Sequence, residues 1–224
     1  MDSLTQIVLG AAVGEVVLGR KVGNKAMLWG AIAGTIPDLD VLVKLFTDDI
    51  VRANEVHRGF SHSILFCILF APLFGWLVSK LYKKDNTTWK DWSKLIFWGL
   101  FTHPLLDAFT TWGTQLFWPF TYKISFKNIF VVDPLYTVPF LICVIVAMFY
   151  KRKNPKRRKI NLLGIYLSSG YMLITLWIKW YTYDVFQKSL NEQNITYSEI
   201  QTKPTPLNTI LWNANIETKD AYLI

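Results

Sequence analysis

The stretch 129–180 reads IFVVDPLYTVPFLICVIVAMFY, then KRKNPKRRK, then INLLGIYLSSGYMLITLWIKW. Two apolar runs, Ile129 to Tyr150 and Ile160 to Trp180, flank a linker with seven basic residues in nine. At 1.5 Å per residue each run is long enough to cross a hydrocarbon core of about 30 Å. Asp133-Pro134 interrupts only the start of the first, and Lys179 falls only near the end of the second. A hairpin of two membrane helices with a basic connection is the simplest reading, and the rest of the chain extends it. Ser63 to Tyr82 is a third span. Trp92 to about Phe109 is a fourth, with His103 and Asp107 inside it. Leu4 to Leu18 is rich in Gly10, Ala11, Ala12 and Gly14, small residues that suit close helix packing in lipid. Ala26 to Val43 is broken by Pro37, Asp38 and Asp40. The expected fold is all-α: a polytopic bundle of about six transmembrane helices over residues 1–180, with a short extracytoplasmic tail over 181–224.

Composition agrees. Hydrophobic residues make up 52% of the 224 and charged residues 18%, against about 25% in soluble domains, and mean hydropathy is +0.26. Two cysteines exclude a disulfide scaffold, and Cys67 and Cys143 read as small apolar residues. The formal charge of +8 would suggest nucleic acid if it lay on a soluble face. It is concentrated instead between apolar runs, around Arg20 to Lys25, Lys80 to Lys94 and Lys151 to Lys159. These alternate connections hold fifteen basic residues against Asp85 and Asp91. The positive-inside rule places them in the cytoplasm and both termini outside, with no nucleic-acid partner. Met1-Asp2 lacks a basic leader, so the first helix is expected to remain. Phe109, Trp112, Phe117, Trp118, Phe120 and Tyr122 read as an interfacial aromatic belt or, alternatively, a lipid-tail groove. The tail has no closing signal and looks too short for a core of its own.

The three histidines fall in two motifs, His57-Arg58-Gly59-Phe60-Ser61-His62-Ser63 and Thr102-His103-Pro104-Leu105-Leu106-Asp107; a third cluster is Pro37-Asp38-Leu39-Asp40. His103 and Asp107 share a helix face at i,i+4. In the six-span topology Asp38, Asp40, His62, His103, Asp107 and Asp133 all lie at the outer ends of their spans. Imidazoles and carboxylates are the ligands of Zn²⁺, with Mn²⁺ or Fe²⁺ favoured as the carboxylate share rises. Charges within lipid tend to be paired and functional. Glu15, well inside the first span, is expected to pair with Arg20 or a neighbouring helix. Ser61 and Ser63 are positioned to orient the histidines.

At these motifs, and at Met1-Asp2-Ser3-Leu4-Thr5, Gly10 to Glu15 and Asp133-Pro134-Leu135-Tyr136, the sequence resembles the YdjM-like membrane-bound metal-dependent hydrolases of bacteria. The resemblance implies a multi-span inner-membrane hydrolase with metal ligands Asp38, Asp40, His57, His62, His103 and Asp107. Many relatives carry His where this chain has Gln6, so the site has one ligand fewer or uses the Gln6 amide oxygen. Pro206 to Asn213 looks like the opening of a soluble domain found in longer relatives.

The expected function is therefore hydrolysis by a metal-activated water at the outer face, with one or two divalent ions, zinc first and manganese as the alternative. Asp38 or Asp107 would act as general base and Arg58 would stabilise developing negative charge. The substrate would be an amphiphilic or lipid-linked phosphate or ester drawn from the membrane lipids. The competing classes are a transporter, in which the intramembrane Asp and His line a pathway, and a structural or regulatory protein with a bound metal.

Overall fold

The computed structural model describes residues 1–45, 58–219 and 221–223. The chain is mostly helical. Asp2 caps α1 (Ser3–Val22) by accepting from the Thr5 N–H, and Gly23, at φ 64°, turns the chain into α2 (Asn24–Thr35). A residue with a side chain is disfavoured in that conformation. The α1–α2 hairpin is packed backbone to backbone: a Cβ on Gly10 would lie 2.3 Å from the Gly30 carbonyl oxygen, and one on Gly14 would lie 2.1 Å from that of Ala26. The small residues of the first run do what their composition suggests.

Pro37 ends regular helix, since it has no N–H and its ring obstructs the preceding turn. The chain tightens into a 3₁₀ segment, Ile36–Leu45. The span expected at 26–43 is thus half helix and half 3₁₀ segment. A second 3₁₀ turn, Phe60–His62, leads into α3 (Ile64–Leu81), capped by Ser63. The fourth helix, α4 (Trp89–Asp107), opens with a reciprocal capping box between Thr88 and Asp91. Residues 108–133 form an irregular stretch, tied by single bridges between Thr110 and Ile129 and between Thr114 and Ile124. Helix α5 (Pro134–Phe149) starts later than the apolar run, because Asp133 caps it and Pro134 takes the first position. Helix α6 (Pro155–Glu192) runs unbroken for 38 residues, twelve beyond the expected end of the span.

Among the described residues three helices, α1, α3 and α6, are long and apolar enough to cross a membrane. At 16 residues α5 is apolar but shorter, α2 has 12 residues, and α4 begins with Lys90, Asp91 and Lys94. On α3 the side chains of Ile68, Leu69, Leu73, Trp76 and Leu77 are all exposed, as a lipid-facing surface would be. Trp112, Phe117, Phe120 and Tyr122 form an exposed aromatic surface on the irregular stretch.

The fold is not all-α. Strands β1 (Glu199–Pro204), β2 (Trp212–Glu217) and β3 (Tyr222–Leu223) make an antiparallel sheet in the order β1-β2-β3, with Glu199 opposite Glu217 and Ile216 opposite Leu223. Nor does the tail lack a core. Ala214 and Ile216, on one face of β2, bury against Leu190 near the end of α6, with Phe186, Ile195, Tyr197 and Ile200 around them. The overrun of α6, itself the first part of the 44-residue tail, supplies the apolar surface on which the strands pack, so the tail does form a small core.

Candidate metal centre

Four side chains from three segments meet at one end of the helices. Asp38 comes from the 3₁₀ segment after α2, His62 from the turn before α3, and His103 and Asp107 from the last turn of α4. One ligand atom from each lies within 4.8 Å of all the others. His103 Nε2 is 3.2 Å from His62 Nε2, and Asp38 Oδ1 is 3.3 Å from the first and 3.5 Å from the second. Asp107 Oδ2 is 3.9 Å from His62 Nε2. Ligands at 2.0–2.2 Å around a tetrahedral ion stand about 3.3–3.6 Å apart, so the cluster has the size of a metal site.

The far side of each imidazole fixes its proton. His103 Nδ1 lies 2.5 Å from the Gly34 carbonyl oxygen, which can only accept. Pro37, three residues after Gly34, has no N–H to offer that carbonyl, so the break in α2 leaves it facing His103. His62 Nδ1 is 3.2 Å from Asp40 Oδ2 and 3.0 Å from Ser61 Oγ, which itself donates to Asp40 at 2.6 Å. Both Nδ1 atoms therefore carry hydrogen, and both Nε2 atoms point at each other and at two carboxylate oxygens. With both imidazoles neutral these are four acceptors aimed at one point, an arrangement that only a cation, a proton or a metal ion, relieves. A carbonyl or carboxylate behind a metal-binding histidine is the usual supporting arrangement.

Burial of the cluster is nearly complete: the His62, His103 and Asp107 side chains are 0% exposed and Asp38 is 26% exposed. His62 sits in the turn ahead of α3. Burial alone would lower its pKa, but the Asp38 and Asp40 carboxylates outweigh that and hold it above the usual histidine value.

Asp107 is the most constrained member. Its Oδ1 takes a hydrogen bond from Gln6 Nε2 at 2.8 Å and the amino group of Met1. Its Oδ2 is 3.2 Å from Arg58 Nη2 but accepts no hydrogen bond among the described residues. Arg58 is held in turn by Thr110 Oγ1 at 3.3 Å and the Gly113 carbonyl at 3.4 Å. Its φ of 65° is unfavourable for a residue with a side chain, and the Asp40 carboxylate secures it by accepting from the Arg58 N–H at 3.1 Å.

Of the expected ligands, the structure brings Asp38, His62, His103 and Asp107 together. Asp40 stands behind His62, on the ring nitrogen away from the cluster. His57 lies outside the described residues. Gln6 supplies its amide nitrogen to Asp107 and to the His103 carbonyl at 3.3 Å, and its oxygen is buried without a hydrogen-bond partner among the described residues. Asp133 caps α5 through the Leu135 and Tyr136 N–H groups and accepts from Tyr171 Oη at 2.9 Å. The Gly34 carbonyl and Thr110 were not anticipated; the signal for the first was Gly34 standing three residues before a helix-breaking proline. Glu15 pairs with Arg157 on the neighbouring helix α6, the second of its two expected partners.

Fold and cluster together define a helical membrane protein with a buried two-histidine, two-aspartate centre of metal-binding geometry. The chain belongs to the YdjM inner membrane protein family, whose model matches residues 1–183. That match spans all four cluster residues and ends within α6, ahead of the sheet. No curated protein and no solved structure matches the chain.

Proposed function

We propose that this protein is a membrane-embedded, metal-dependent hydrolase acting on the phosphate or ester of an amphiphilic substrate. One observation carries the metal: two histidine Nε2 atoms face each other 3.2 Å apart with both Nδ1 atoms committed to acceptors. Asp38, His62, His103 and Asp107 would hold a divalent ion, with zinc the first choice for two imidazoles and two carboxylates. A bound ion of this kind supplies Lewis acidity and a water acidified towards a pKa of about 7. Asp38 would face the ion through Oδ1 and serve as general base through its other oxygen in this reading, because it is the one cluster carboxylate open to solvent. Asp107, fastened by Gln6 and Met1, serves as a fixed ligand. Arg58 touches Asp107 and acts as a positioning residue through it. The topology belonging to this reading is six membrane-crossing helices, both termini outside and the cluster at the outer face, where the exposed aromatic surface would meet headgroups.

Full burial of three of the four ligands also suits a purely structural metal. Asp38→Asn separates the two. Wild type and variant are incubated with total bacterial lipid extract, and products are compared by mass spectrometry. The hydrolase reading expects metal-dependent products from wild type and none from a folded Asp38→Asn protein. Absence of any metal-dependent product from metal-loaded wild type overturns it in favour of the structural centre.

A further inference from the structure

At the end of the bundle opposite the metal centre the structure holds a cavity walled by cations. Along α1, Arg20 lies fourteen residues beyond Gln6, about 21 Å further from the metal centre at helical rise. There a cavity of about 370 Å³ opens between the end of α1 and the start of α6, with Arg20, Arg152, Lys153 and Arg158 in its wall. Glu15 is its one carboxylate among the described residues, and Arg157 already neutralises it through two bonds, Nε to Oε1 at 2.7 Å and Nη2 to Oε2 at 2.5 Å. None of the four wall cations forms an ion pair among the described residues. By contrast, Lys21 and Lys25 on the neighbouring surface are paired with Asp91 and Asp85.

Four like charges around one concavity favour an anionic occupant. The N-terminus of a helix is its positive end and is stabilised by anions. The first turn of α6 carries no acidic residue, and Arg152, Lys153 and Arg158 bracket it. Asn154 caps one N–H, that of Lys156, at 2.9 Å. Arg152 donates to the Lys21 carbonyl at 2.7 Å, but avoidance of translocation does not explain why four cations without an ion pair among the described residues converge on one concavity. An anion with several acceptor oxygens would satisfy both the side chains and the helix end.

The cavity's surroundings name the source of that anion. α1 is long and apolar enough to cross a membrane, which would put Arg20, in its last turn, at headgroup depth. Val16, one turn before Arg20 and part of the same wall, is 44% exposed on the outer surface of the helix. An apolar wall below a cationic one matches a lipid with its phosphate in the cavity and its chains along α1. We propose that this cavity binds the phosphate headgroup of an anionic phospholipid, at the end of the bundle away from the metal centre. The site is independent of the hydrolase reading.

The test uses the full chain in detergent micelles. Phosphatidylglycerol, phosphatidylcholine or inorganic phosphate is added, and lipid retained on the protein is counted by native mass spectrometry alongside the thermal midpoint. Wild type is expected to retain one phosphatidylglycerol in preference to phosphatidylcholine and to gain midpoint with it. Removing a headgroup-contacting cation weakens such binding about five-fold, so R20Q/R158Q should lose on the order of twenty-fold in affinity. Both side chains are exposed, so the lipid-free midpoint should hold; single R20Q and R158Q variants provide the same readout if the double variant does not fold. K83Q/K84Q, which removes two cations from another basic loop, should bind as wild type. Equal loss in K83Q/K84Q, equal retention of phosphatidylcholine, or an equal midpoint gain from inorganic phosphate alone would each overturn the assignment.

Discussion

Replacing Asp40 with alanine distinguishes a ligand from its support. One oxygen of Asp40 accepts three hydrogen bonds or close polar contacts: His62 Nδ1 at 3.2 Å, Ser61 Oγ at 2.6 Å and the Arg58 N–H at 3.1 Å. None of them points into the cluster. Removing the acceptor behind a ligating histidine costs about 10–100-fold in metal affinity, or about 1.4–2.7 kcal/mol. The Arg58 N–H also loses its partner in a strained, buried turn, which adds about 1–3 kcal/mol of destabilisation. Asp40→Ala should therefore bind one equivalent of Zn²⁺ with a Kd raised 10–100-fold and a lowered thermal midpoint. Asp40→Asn keeps an acceptor for the imidazole and should fall near the ten-fold end. Competition against a fluorescent zinc indicator at pH 7.5 measures both, with Asp38→Ala as the comparison that loses stoichiometric binding. If Asp40→Ala loses stoichiometric metal as Asp38→Ala does, Asp40 is itself a ligand. If its Kd is unchanged, Asp40 does not orient His62.

Two further outcomes are expected. Metal affinity should fall with acid: His62 is held above its ordinary pKa when metal-free, and its proton must leave for metal to bind. In the metal-free protein that raised pKa contributes stability in full below about 6.5, lost as pH rises through the folded value. The thermal midpoint gained on adding Zn²⁺ should thus grow from pH 5.5 to 7.5; a constant gain contradicts the placement of His62. The Glu15–Arg157 pair is 2–4% exposed, so Glu15→Ala should destabilise by about 3–5 kcal/mol, while Glu15→Leu with Arg157→Met should restore most of it. Thermal unfolding read by a thiol dye on buried Cys67 checks this, and a double variant no better than Glu15→Ala refutes it.

How much was legible in the sequence follows from how local each signal is. Asp133, Thr88 and Ser63 cap their helices within three residues, and the i,i+4 pair His103–Asp107 needs only helical geometry. The motifs at Pro37, His62 and His103 were each visible, and the expectation that they share one end of the bundle matches the cluster. Which of two neighbouring aspartates enters the cluster was not visible, because it depends on the 3₁₀ geometry after Pro37 and on the partner His62 finds across the fold. The engagement of Arg58 with Asp107, Thr110 and Gly113 was not visible either, because it spans about fifty residues of sequence. That Glu15 pairs with a neighbouring helix was legible, but not that the partner is Arg157, 142 residues away. The sheet escaped notice since the alternation of Trp212, Ala214 and Ile216 in β2 is only six residues long, and its cover comes from a helix extending past its apolar run.

The central claim is that two facing imidazoles and two carboxylates hold a metal. Elemental analysis of the full chain, purified without a histidine tag and dialysed free of loose metal, tests it most directly. The account predicts about one equivalent of a divalent transition metal in wild type, and less than a tenth of that in His62→Ala and His103→Ala proteins that remain folded. Metal far below one equivalent in wild type after exposure to Zn²⁺ and Mn²⁺, or an equal content in the folded histidine variants, would contradict it.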